Sequence, residues 1–264
     1  MTDLPINSIV CGDNVEVMSS FPEDSIDLVV TSCPYDDLRT YSAGKSMSEL
    51  WDFESVAQQL WRVIKPGGVV VWVVADATIN GSETGTSFRQ ALRFMEIGFR
   101  LHDTMIYASD KPPLTHNRYE QCWEFMFVLS KGKPTAFNPL MEKTINSGKR
   151  ANSRTFMQKS SDGNYTPAHK SEPVAATAYR RNIWLFNQSY DGKHPAPFPE
   201  ALARDHILSW SNEGDIVLDP FAGSFTTCKM ARLMWRRWVG IEVNPEYCEI
   251  GKRRMAQQVF DFSS

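Results

Sequence analysis

Two apolar runs in this chain end in turns whose residue types could do chemistry. The first turn, Thr31-Ser32-Cys33-Pro34-Tyr35, closes the β-branched run Ser25–Thr31. A hydroxyl, a main-chain carbonyl, a bend and an aromatic ring in succession can grip an amino group. Ser32 and the Cys33 carbonyl can accept its hydrogens, Pro34 shapes the backbone, and Tyr35 can stack on the ring that bears the amino group. No strong base is needed, because such a nitrogen becomes acidic only as its new bond forms. Pro and Tyr also simply end strands, so this turn alone decides little.

The second turn is Asp219-Pro220-Phe221-Ala222-Gly223-Ser224, which follows Ile216-Val217-Leu218 and precedes a helical stretch. Ligands of open α/β sheets bind at the carboxyl ends of strands. Gly223 lets the backbone approach a ligand closely, and the helix N-terminus after it favours an anionic group. Glu242 ends the following run, Val239-Gly240-Ile241, and could accept both hydroxyls of a ribose. There is no GxGxxG, and the turn holds a single glycine. That suits a nucleoside with an amino acid tail better than a dinucleotide pyrophosphate. A nicotinamide-dependent oxidoreductase on the same sheet stays open as an alternative.

These turns need strands to carry them, and the hydrophobic pattern supplies strands alternating with helices. Strands are expected at 8–11, 25–31, 69–74, 104–108, 124–129, 216–220 and 238–243. Helices are expected at 15–20, 49–64, 88–98, 199–210, 226–235 and 245–259. Lys65-Pro66-Gly67-Gly68 is expected to stop the second helix by removing a donor and permitting positive φ. The alternation implies a doubly wound, mostly parallel α/β sheet, with an antiparallel hairpin strand. Trp51, Trp61, Trp72, Trp210, Trp235 and Trp238 fall at positions expected to be core.

Charge is distributed unevenly. Residues 131–193 hold eleven Lys and Arg against four Asp and Glu, in a chain whose net charge is −3. A basic segment on an acidic body suits contact with phosphates. Regular periodicity fades over 131–182, which reads as a loop-rich insertion. Residues 1–130 and 183–264 then form one domain. Five scattered cysteines (Cys11, Cys33, Cys122, Cys228 and Cys248) form no CxxC, which fits reduced thiols in a cytoplasm. There is no leader-like start and no apolar run of membrane length. His102, His169 and His206 have no ligand spacing, so no metal is assigned.

Taken together, Thr31–Tyr35 and Asp219–Ser224 resemble the signatures of the amino-methyltransferase family of DNA, (D/N/S)PPY and a DPFxGSG-type loop. The catalytic turn precedes the cofactor loop, which resembles the family's permuted β-group order. Cys11-Gly12-Asp13 resembles the segment touching the cofactor adenine, and Arg62–Gly68 the turn before a sheet strand. His194-Pro195-Ala196-Pro197-Phe198-Pro199 resembles the segment closing over the methionine end, and Val239–Tyr247 the ribose-binding strand and helix. Together these matches cover residues 8–130 and 183–256.

The resemblance implies a Rossmann-like fold and S-adenosylmethionine as cofactor. The product would be a methyl group on an exocyclic amino group of a flipped base in double-stranded DNA. Catalytic residues would be Ser32, Cys33, Pro34 and Tyr35. The cofactor would be held by Cys11, Asp13, Ser32, His194, Pro195, Phe198, Asp219, Pro220, Phe221, Ala222, Gly223, Ser224, Glu242 and Asn244. The basic insertion falls where the family keeps its target-recognition region. Lys149, Arg150, Arg154, Lys159, Arg180 and Arg181 are its candidate DNA contacts, with Lys131 and Lys133. Arg39, Tyr41 and Lys45, after the catalytic turn, are further candidates. Serine at Ser32 leans slightly towards cytosine N4, with adenine N6 nearly level. A homodimer is implied, with or without a cognate restriction enzyme.

Two departures from the family pattern stand out: Cys33 in place of proline, and Phe225 in place of a frequent glycine. The alternatives are an RNA or protein-glutamine methyltransferase, or a DNA-binding module that lost its activity.

Overall fold

A computed structural model describes residues 3–34, 51–109, 119, 121–145, 156–168, 175–186 and 199–256. The first stretch runs from β1 (Ser8–Cys11) through α1 (Asn14–Ser19), β2 (Ile26–Ser32) and α2 (Phe53–Val63) to β3 (Ile64–Val74). A small hairpin, β4 (Thr78–Ile79) and β5 (Ser82–Glu83), precedes α3 (Thr86–Ile97), β6 (Arg100–Ala108) and β7 (Trp123–Ser130). Four short strands follow: β8 (Met141–Lys143), β9 (Phe156–Lys159), β10 (Tyr165–Ala168) and β11 (Thr177–Tyr179). The chain continues with β12 (Ile183–Leu185), α4 (Glu200–Trp210), β13 (Ile216–Asp219), α5 (Thr226–Leu233), β14 (Arg237–Glu242) and α6 (Pro245–Ala256).

Eight strands form one sheet in the order β1-β14-β13-β2-β3-β7-β6-β12. Strand β7 runs against both neighbours, and every other adjacent pair is parallel. The expected doubly wound sheet with one antiparallel strand is therefore observed. Val69–Val74 of β3 is buried along its whole length, as a central strand covered on both faces must be. Met18, Leu60, Trp72, Phe94 and Leu218 are all fully buried in the core.

Chain connectivity divides into two compact units, Met1–Asn138 with Asn182–Ser264, and Pro139–Arg181. Residues 131–138 belong to the larger one, where Lys131 N donates to Gly68 O and Thr135 N to Gly67 O. The smaller unit, taken by itself, is two antiparallel strand pairs, β9 with β10 and β8 with β11. Arg180 meets Glu142 there at 3.4 Å. Among the described residues no helix is long and apolar enough to cross a membrane.

Three expectations are corrected. Helix α2 starts at Phe53, because the Asp52 carboxylate caps it by accepting from Glu54 N (3.2 Å) and Ser55 N (3.1 Å). It also ends before Lys65. Ile64 is already extended and pairs with Ile26, so the parallel ladder claims the chain first. Lys65–Gly68 instead forms the irregular start of β3, across which the register jumps from Ile26↔Ile64 to Leu28↔Val69. Gly67, at φ +82°, donates there to Lys131 O at 2.6 Å. Lastly, Trp235 is 77% exposed, at φ +61°, because α5 stops at Leu233 and the helical face does not extend to it.

Candidate active site

Strand β13 lies directly beside β2, with Val217 opposite Leu28 and Leu218 opposite Val29. That register brings the two chemically interesting strand ends together, although they are far apart in sequence. A side-chain hydrogen bond ties them: Thr31 Oγ1 donates to Asp219 Oδ1 at 2.7 Å. The same oxygen accepts Phe221 N at 3.2 Å. Thr227, whose hydroxyl donates to Val30 O at 3.2 Å, also lies against this carboxylate. Asp219 ends a run of core residues and is itself buried. Desolvation pushes its carboxyl up to about 6, against the pull of the hydroxyls, and the nearby Glu242 charge adds to the rise. What it offers at this point is a fixed acceptor between two strands.

The turn after Asp219 is held from several sides. Asn14 Nδ2 donates to Pro220 O at 3.1 Å, and Ala222 N to Ile241 O at 2.9 Å. Glu242, at the end of β14, accepts Gly223 N on one oxygen and Asn244 N on the other, both at 2.8 Å. Burial raises its pKa. Val243 N is a further main-chain donor to this carboxylate, and acceptor capacity remains for a hydroxyl. Asn244 accepts Glu246 N at 2.9 Å, at the start of α6.

Across the sheet, Cys11 faces Glu242 in the β1–β14 register and is exposed. Gly12 N donates to Glu242 O at 3.0 Å. Asp13 caps α1 with one oxygen, which accepts from Val15 N and Glu16 N. Cys11, Asp13, Glu242 and Asn244 thus gather with the 219–224 turn around the carboxyl ends of β1, β14 and β13.

At the β2 end, Ser32 and Pro34 are half-buried, whereas Cys33 is 2% exposed. The Cys33 thiol points into the core, 3.8 Å from Val73 O and 4.0 Å from Gln90 Oε1. Gln90 in turn accepts the Trp72 indole N–H at 2.9 Å. A cysteine at a proline position is therefore packed inward, and what it can offer a ligand is its main-chain carbonyl. Phe221 of the second turn packs edge-on to Trp51, with ring centroids 5.0 Å apart, and lies 6.1 Å from Trp72.

The second departure, Phe225, leaves the turn in place. It sits at φ +62°, and its fully buried ring fills the space beside Gly240 and Gly251. Sequence reasoning missed Thr31 as a donor, and also Thr227, Asn14 and Gln90. Polar residues inside otherwise apolar strands and helices were the available signal.

Other expected residues fall elsewhere. Tyr35, Arg39, Tyr41, Lys45, Lys149, Arg150, Arg154, His194, Pro195 and Phe198 lie outside the described residues. Lys159 and Arg181 are exposed, and Arg180 is half-buried against Glu142. Lys133 is exposed as well. Lys131 is engaged inside its own unit. Its ammonium meets Asp24 at 2.7 Å, donates to Trp61 O and Ile64 O, and sits 4.9 Å from the Trp61 ring.

Residues 26–253 match the family model described as DNA methylase. The chain belongs to the N6/N4 DNA methylase family. This methylase is 49% identical over 247 residues to the orphan methyltransferase M.BamHII of Bacillus amyloliquefaciens, covering 89% of this chain and 90% of the relative. It is 28% identical over 261 residues to the DNA adenine methyltransferase YhdJ of Escherichia coli (strain K12), covering 94% and 82%. Its fold matches TTHA0409 of Thermus thermophilus, solved in complex with S-adenosyl-L-methionine. The TM-score is 0.64, with 26% identity and 96% of each chain covered. The Rossmann-like methyltransferase fold expected from the two turns is thus the fold of the methylase.

Proposed function

We propose that this methylase transfers a methyl group from S-adenosylmethionine to an exocyclic amino group of a base turned out of double-stranded DNA. The observation that carries the reading is the pairing of β2 with β13, which joins Thr31 to Asp219 and so sets the Ser32 turn beside the 219–224 turn. The residues present suit the cofactor. Glu242 is a partly desolvated carboxylate with acceptor capacity left, which suits the hydroxyl donors of a ribose. The 219–224 turn, with Cys11 and Asp13, would hold the rest of the nucleoside and its amino acid tail. When bound, S-adenosylmethionine supplies a methyl group carried on a sulfonium.

The chain's own residues then orient the acceptor. The Ser32 hydroxyl and the Cys33 carbonyl accept the two amino hydrogens and aim the nitrogen lone pair, and Tyr35 stacks on the base. The nitrogen–carbon bond forms as the carbon–sulfur bond breaks, and one amino proton leaves to water. The unit Pro139–Arg181 carries eight Lys and Arg against three Asp and Glu and is assigned to the DNA phosphates and base edges, with Lys159 and Arg181 among its exposed cations. Cytosine N4 is the favoured target. The kinship with YhdJ, named as an adenine enzyme, supports adenine N6 as the second reading.

Transfer of labelled methyl to duplex DNA, RNA and protein tests the reading. Label should enter duplex DNA. Tyr35→Ala should cut the rate by about 10–10², the scale for losing one ring that stacks on a base, while binding of S-adenosylhomocysteine holds within about twofold. Label confined to RNA or protein would defeat the proposal, as would DNA binding without methylation at saturating cofactor. Mass spectrometry of the digested nucleosides identifies the base.

A further inference from the structure

The basic run Lys252-Arg253-Arg254 near the end of α6 has no part in the chemistry described above. Such cations commonly complement the negative end of a helix dipole. Two of the three do only surface work. Lys252 pairs with Glu249 at 2.7 Å, and Arg253 Nε donates to Glu249 O at 3.3 Å, all exposed.

Arg254 is different. Its side chain is 24% exposed and turned inward. Nη1 donates to three acceptors, Ser224 O, Ser224 Oγ and Thr226 Oγ1, each at 3.0 Å. Nη2 is bound to Glu200 Oε1, at the first residue of α4. The same Glu200 oxygen accepts Lys229 Nζ at 2.7 Å, and both cations hold the Glu200 carboxyl below its usual range although burial opposes them.

Three residues before Arg254, on the same face of the helix, stands Gly251. A Cβ there would lie 2.2 Å from Phe225 Cδ2. Gly251 lets α6 come close over Phe225, and at that separation the Arg254 guanidinium reaches the last residues of the cofactor turn. A lysine would present one ammonium where the planar fork presents several donors at fixed angles.

We infer that Arg254 is a positioning residue for the S-adenosylmethionine site: it fixes Ser224 and Thr226 from behind, without touching the cofactor, and so sets cofactor affinity. The inference rests on the reading that the 219–224 turn holds the cofactor.

The test compares the full-length wild type with Arg254→Gln, Arg254→Lys and Glu200→Gln. It reads the calorimetric Kd for S-adenosylhomocysteine, KM for S-adenosylmethionine, kcat and Tm. Arg254→Gln should weaken S-adenosylhomocysteine binding and raise KM about tenfold, with kcat at saturation within about twofold; that is the scale for losing charge-assisted hydrogen bonds. Arg254→Lys, which keeps the charge but loses the fork, should bind about threefold more weakly than the wild type, between it and Arg254→Gln. Glu200→Gln, which leaves the Ser224 contacts in place, should stay within about twofold. A lower Tm with unchanged Kd in the folded protein overturns the inference, as does a loss in kcat without a rise in KM. If Arg254→Gln fails to fold, an unchanged Kd in Arg254→Lys overturns it instead. A wild type that binds no S-adenosylhomocysteine would bring down the functional reading itself, an outcome distinct from unchanged affinity among competent variants.

Discussion

Asp219 in the larger unit is 4% exposed and ends on Thr31, whereas Tyr165 in Pro139–Arg181 is 62% exposed with the Lys159 ammonium 6.0 Å from its ring centroid. The contrast extends beyond these two. In the larger unit Thr31, Gln90 and Thr227 are buried and each meets a specific acceptor or donor. In the smaller one Met141, Met157, Tyr165 and Tyr179 are all more than half exposed. Polar groups that must hold a geometry are taken out of water, where a hydrogen bond is stiff and its absence costly. On the proposed reading, the smaller unit keeps its cations, rings and methionines in solvent until DNA covers them.

Substitutions of matched kind sharpen this contrast. The largest effect is expected at Gly251→Val, where added carbons meet the buried Phe225 ring. The overpacking should cost about 3 kcal/mol or more of unfolding free energy in a denaturant titration. Gly163→Ala in the smaller unit meets nothing within 4 Å, and strains only its φ of +88°. Its cost should be about 1 kcal/mol. Comparable losses at both sites would erase the distinction.

Asp219→Asn probes burial through pH. An ordinary aspartate titrates near 3.8, and this one has been pushed up to about 6 by desolvation. Between those values the folded protein binds more protons than the unfolded chain, so the group's contribution to stability falls as pH rises from about 4 to 6. Asparagine keeps an acceptor for Thr31 and carries no charge. Relative to wild type, Asp219→Asn should therefore gain about 2 kcal/mol between pH 4 and pH 7. A gap that stays flat across that window would show that Asp219 is not desolvated as described.

The smallest stability effect should come from Lys159→Ala. Its loss should leave Tm nearly unchanged, since an exposed cation–π contact is worth about 0.5 kcal/mol. Duplex DNA binding should weaken several-fold, and the slope of log K against log salt should shrink by about 1. A change in Tm without a change in the salt slope would assign Lys159 to the fold.

The sheet was largely legible from sequence because its strands are long, apolar and regularly separated. Val69–Val74 could hardly be anything else. The boundaries were less so. Lys65-Pro66-Gly67-Gly68 reads locally as a helix stop, yet the stop comes from Ile64 joining Ile26, a contact across the sheet that no local pattern announces. The two site turns were visible as residue types at strand ends. Their adjacency followed only from the assumption of a doubly wound order, since Ser32 and Asp219 are linked through strand pairing and not through spacing. Arg254 was legible merely as one of three cations. Which of the three turns inward depends on helix phase and on the close approach that Gly251 permits.

Phe225, Gly240 and Gly251 carry a consequence for descent. The ring of the first occupies space that the other two leave by having no side chain. A lineage that places glycine at 225 inherits a void where the ring stood, and one that adds a methyl at 251 inherits a collision. Each step alone is costly, so in related chains these three positions should change as a set.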